Sequence, residues 1–64
     1  MADYILTCHD DCGNQLLCQM QSSLQEAEET AYRFNDRKSS DNGLYIFTIY
    51  LDDSSTVCEE FMLI

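Results

Sequence analysis

Proline is absent from this 64-residue chain, lysine and arginine together number three, and no apolar run approaches a membrane span. Each absence excludes something. The lack of proline, with 45% hydrophobic residues, four tyrosines and three phenylalanines, separates the chain from disordered acidic segments. The shortage of positive charge is sharper. Twelve carboxylates against Arg33, Arg37 and Lys38 leave a formal charge of −9, which repels nucleic-acid phosphates and anionic membrane surfaces. The same charge attracts proteins whose own surfaces are built to hold phosphates, or it serves solubility alone. The start, Met-Ala-Asp-Tyr-Ile, has no basic stretch followed by a long apolar run, so the expected location is the cytoplasm.

Catalytic signatures are missing too. The sequence has no phosphate loop, dinucleotide fingerprint or activated-serine motif, and one domain of this size has a thin core with little room for a walled pocket. A non-enzyme with no cofactor is expected. Cys8, His9 and Cys12 are residue types that zinc prefers, but strand alternation sends Cys8 and His9 to opposite faces. The same separation argues against Cys8 as a nucleophile with His9 as its base. In a reducing compartment Cys8, Cys12, Cys18 and Cys58 are expected as free thiols; their even number in so short a chain leaves disulfide bridges as one alternative and a small zinc-stabilised domain as another.

The pattern along the chain predicts one α+β domain of order ββαββ, a four-stranded antiparallel sheet with one helix on one face. Residues 3–9 and 15–21 read as a hairpin, closed by Asp11-Cys12-Gly13 with Gly13 left-handed. A loop of three residues pairs the apolar set Tyr4, Leu6 and Cys8 with Leu16, Cys18 and Met20, leaving Gln15, Gln19 and Gln21 on the other face. Ser23-Leu24-Gln25-Glu26 has the form of a capping box, in which serine caps an early helix N–H and glutamate returns to the serine N–H. Leu24, Ala27, Ala31 and Phe34 recur at helical spacing as a core stripe. Glu26 and Glu29 precede Arg33, Arg37 and Lys38 along this helix, which opposes its dipole. Residues 39–43 end it. Residues 44–51 are apolar on both faces, as suits a central strand, and 57–64 follow as the last strand.

This order locates the acidity. With the third strand beside the first, Asp10 and Asp11 share the upper end with Asp41. Asp52 and Asp53 share the lower end with Glu26, Glu28 and Glu29. Such crowding adds little to stability, so the candidate partner-binding residues are Glu26, Glu29, Asp52 and Asp53, followed by Asp10, Asp11, Glu59 and Glu60. One helix covers one side of the sheet only. Either Leu44, Ile46 and Tyr50 or Tyr45, Phe47 and Ile49 on the third strand are left for a second copy of the chain or a partner.

The helix pattern Ser23-Leu24-Gln25-Glu26-Ala27-Glu28-Glu29-Thr30-Ala31, after a short hairpin and before a strand, resembles the architecture of several small phage-encoded inhibitors. Among these are the RNA polymerase inhibitor of a lytic phage and some anti-CRISPR proteins. The resemblance implies a stoichiometric inhibitor of a host nucleic-acid-binding protein or CRISPR effector complex, acting by DNA mimicry in the host cytoplasm. The competing class is a structural or regulatory module that self-associates through the apolar third strand.

Overall fold

A computed structural model describes residues 3–37, 43–52 and 56–64. Its elements are β1 (Tyr4–Asp10), β2 (Gln15–Gln21), α1 (Leu24–Asp36), β3 (Tyr45–Leu51) and β4 (Val57–Leu63). The strands form one antiparallel sheet in the order β2-β1-β3-β4, with the longest-range pairing at its centre between β1 and β3. The ββαββ architecture expected from the sequence is the one observed.

The first turn also follows its chemistry. Gly13 has φ +90°, its N–H donates to the Asp10 carbonyl, and the Asp10 N–H donates to the Asn14 carbonyl. That bonding describes a three-residue loop with glycine in the left-handed position, where a Cβ would be strained. The register beyond it departs from expectation. His9 pairs with Gln15, but Cys8 pairs with Leu17, Leu6 with Gln19 and Tyr4 with Gln21. Leu16 is therefore an extra residue in β2, and a one-residue bulge exchanges the two faces of everything after it. Gln19 and Gln21 lie on the helix side, whereas Cys18 and Met20 are on the open face and exposed. The sequence offers Leu16 or Leu17 equally to the core, and packing selects Leu17.

Ser23 caps α1, its hydroxyl accepting from the Glu26 N–H at 3.1 Å. The returning half of the expected capping box differs, since the Glu26 carboxylate accepts from the Ser22 hydroxyl. Ala27 and Ala31 are fully buried, and their small side chains let the helix lie close to the sheet above Leu6, Cys8, Phe47 and Ile49. Leu24 and Phe34 pack at the margin of this core. Phe47 holds its centre, stacked on Phe61 with ring centroids 5.5 Å apart and meeting Phe34 edge-on at 6.4 Å. At roughly 25 cal/mol per Å² of buried apolar surface, these few side chains supply most of the drive to fold.

β3 is central and carries two faces, as its composition predicts. Tyr45, Phe47 and Ile49 lie against the helix, which leaves Ile46, Thr48 and Tyr50 for the open side. Transverse rows on that open side are Met20-Ile5-Tyr50-Val57 and Cys18-Thr7-Thr48-Glu60. Met20, Val57 and Met62 there are each more than half exposed. Among the described residues no helix is long and apolar enough to cross a membrane.

Candidate partner-binding surface

The ends of the sheet differ in what their acidic groups are doing. At the upper end the Asp10 carboxylate accepts from the Cys12 N–H at 2.9 Å and from the Asn14 N–H at 2.8 Å, with the Asn14 side chain adding a further bond. These bonds from Asn14, and those of the Cys12 and Gly13 backbone, hold the Asp10 carboxyl below its ordinary pKa. Asp10 is a turn-forming residue. Asp11 beside it is exposed and accepts from the Cys12 thiol, whose pKa is pushed up by the charges of Asp11 and Asp10. Ligand atoms of Asp10, Asp11 and Cys12 lie within 4.8 Å of one another, a grouping that turn hydrogen bonding accounts for. Cys8 is wholly buried in the core, whereas Cys12, Cys18 and Cys58 are exposed.

At the lower end the carboxylates come from different elements. Asp3 and Asp52 stand one residue beyond the Tyr4–Leu51 pair, so the chain order brings them alongside each other. Asp52, Glu26 and Glu29 are exposed, the last two on the first turns of α1. Glu59 joins them from β4. Paired with Ile49 on the helix face, it reaches Glu28, and their hydrogen bond, followed by desolvation and the Glu28 charge, raises the Glu59 pKa. Two carboxyls in one hydrogen bond share a proton more readily than either holds one alone. Glu60, its neighbour in sequence, points to the other face and accepts from the Thr48 hydroxyl at 3.5 Å.

Thus Glu26, Glu29, Asp52 and Glu59 are brought to one end, Asp10 and Asp11 to the other, and Glu60 to the open face. Lys38, Asp41 and Asp53 lie outside the described residues. Sequence reasoning omitted Asp3 and Glu28 from the binding set. The antiparallel pairing of β1 with β3 already implies Asp3 beside Asp52, and Glu28 occupies the helix flank four residues before Tyr32, which stacks on Phe61 of β4.

Among the described residues the basic groups are Arg33 and Arg37, later along α1 on its β2 side. A cleft of about 470 Å³ runs between α1 and β2, lined by Leu17, Gln19, Gln21, Thr30, Arg33, Phe34 and Arg37 among others. Its side chains are linked in series. Arg33 donates to the Thr30 hydroxyl, Thr30 to the Gln21 carboxamide oxygen, and Gln21 to Gln19. Two guanidinium groups, Arg33 and Arg37, thus line the cleft beside this series. Comparison with protein-family models, curated proteins and solved structures finds no match to this chain.

Proposed function

We propose that this chain is a small, non-catalytic binding protein. It docks through its lower end on a basic, nucleic-acid-binding surface of another protein, with its carboxylates standing where phosphates would otherwise lie. The supporting observation is positional: Asp3, Asp52, Glu26, Glu28, Glu29 and Glu59 gather at one end from four elements, while Arg33 and Arg37 line a cleft further along the helix. Turn and cap placements explain single acidic residues but not this convergence. Like charges gathered on an exposed end cost self-repulsion, which a basic partner relieves, and such a field also speeds encounter.

The narrower form of the proposal is the one implied by the resemblance to phage inhibitors: an anti-CRISPR protein that occupies the nucleic-acid channel of a host effector. Both forms are tested by one competition. A host protein captured by the immobilised chain at low salt should be released by duplex or guide-bound nucleic acid. It should also be lost from a D3N/E29Q/D52N variant, and binding should weaken steeply as salt shortens the screening length to below about 10 Å. Capture that survives excess nucleic acid and the triple neutralisation rules the reading out. Loss of target cleavage in a purified CRISPR nuclease assay supports the narrower form, and uninhibited cleavage after demonstrated binding removes it.

A further inference from the structure

We infer that copies of this chain associate head to tail, edge strand β4 of one copy adding to edge strand β2 of the next. The cationic flank of α1 then faces the neighbour's Glu28 and Glu59.

Both edges are open. β2 and β4 terminate the sheet, and neither outer rim pairs with another strand among the described residues. Sheet edges in monomeric proteins are commonly guarded by charge, proline or a covering element. β2, Gln-Leu-Leu-Cys-Gln-Met-Gln, carries no charge and no proline in a chain of net charge −9, so its rim is the least acidic approach to the molecule.

Direction and face agree. Strands alternate in direction across β2-β1-β3-β4, so a copy shifted sideways presents β4 antiparallel to β2 with its helix on the same side. Rows within one copy continue into the next. Leu17-Cys8-Phe47-Phe61 is an apolar row on the helix side, and the neighbour's Phe61 extends it beside Leu17. In the row Gln19-Leu6-Ile49-Glu59, the neighbour's Glu59 falls next to Gln19 under Arg33. On the open face its Val57 meets Met20 and its Glu60 meets Cys18.

Charge complementarity selects this occupant over others. The helix flank above β2 carries Glu26 at its start, beside Ser22, and then Thr30, Arg33 and Arg37, so its upper part is cationic, whereas the flank above β4 carries Glu28 and Tyr32 beside Glu59 and Phe61. Tyr32 is 55% exposed in the single chain and would close the neighbour's cleft. A symmetric β2-to-β2 dimer would bring two arginine flanks together, and a β4-to-β4 dimer two acidic ones. The head-to-tail contact is heterologous and does not close on two copies. Asp52 and Glu29 take no part in it, whereas Glu28 and Glu59 belong both to this contact and to the proposed partner-binding end, so the D3N/E29Q/D52N variant, which spares them, tests partner binding without altering the contact.

The test is mass in solution near 0.15 M salt, where the Debye length is about 8 Å. The unaltered chain should show an average mass that climbs with concentration above the 7.4 kDa of one copy. R33Q/R37Q and E28Q/E59Q should each remain at one copy, and their equimolar mixture should form a pair and stop there, because each variant keeps one competent edge. Recovery on mixing also shows that both are folded. A second measurement is independent of charge: with Cys12 and Cys58 changed to Ser, a Glu60→Cys chain should give a disulfide ladder on mild oxidation through Cys18, absent when Cys18 is also Ser. An unaltered chain that stays at one copy up to about millimolar concentration, with no ladder, overturns the inference. So does association that both charge variants leave intact.

Discussion

Leu17 stands opposite Cys8 while its neighbour but one, Gln15, stands opposite His9, so a single unmatched residue decides which face of β2 meets the helix. The bulge at Leu16 moves Cys18 from an expected core position to an exposed one. It also places Gln19 and Gln21 where they can build the cleft with Arg33.

Thiol labelling reads this register directly. Cys12, Cys18 and Cys58 are exposed and Cys8 is buried, so a thiol reagent should titrate three groups rapidly in the native chain and the fourth only on unfolding. Among the three, Cys12 should be slowest at neutral pH, because Asp10 and Asp11 raise its pKa and deplete the reactive thiolate. A buried Cys18 would restore the unbulged register.

Glu59 and Asp10 should give opposite pH signatures. The folded-state pKa of Glu59 lies above its ordinary value, so its contribution is favourable at low pH and disappears as pH rises through that raised pKa. Glu59→Gln should therefore raise the melting temperature at pH 7 and have little effect near pH 3. Asp10 has a lowered folded-state pKa, so its contribution is present above the ordinary aspartate range and lost as pH falls through the lowered value. Asp10→Asn should reduce stability at pH 7 and flatten the acid limb of the unfolding profile. Melting curves of both variants between pH 2 and pH 8, taken as roughly the range that brackets ordinary carboxylates, check the two signs.

Core and cap should separate by magnitude. Leu6 and Phe47 are fully buried, and truncation to alanine removes about 2–5 kcal/mol for leucine and 3–5 kcal/mol for phenylalanine. A domain of this size has only about 3–5 kcal/mol to lose, so either variant should be largely unfolded at 25 °C by circular dichroism. Ser23→Ala removes one cap bond to Glu26 and should cost about 1 kcal/mol, leaving a folded chain with a lower urea midpoint.

Asn35 offers a change in the other direction. Its side-chain oxygen is buried without a hydrogen-bond partner on α1, and such a group carries a desolvation cost of about 1–3 kcal/mol. Asn35→Leu should raise the melting temperature, helped by the better helix propensity of leucine. A fall would show that the carboxamide is engaged in solution.

Local chemistry made much of this protein legible in its residues. Serine before a helical stripe marked the start of α1, Gly13 marked the first turn, and the two-sided apolar run of residues 45–51 marked the central strand. Each depends on neighbours a few positions apart, and their order was enough to send Asp52 and the first glutamates of the helix to one end. Tertiary structure decided the rest. Whether Leu16 or Leu17 enters the core is a packing choice between identical side chains, and it determines the faces of Cys18, Gln19 and Gln21. The contact between Glu28 and Glu59 joins residues far apart in the chain, and Asp10 was drawn from the acidic surface into its own turn by hydrogen bonds that composition does not display. A count of charges is additive along a sequence, whereas the field they make depends on which faces and ends the chain brings together.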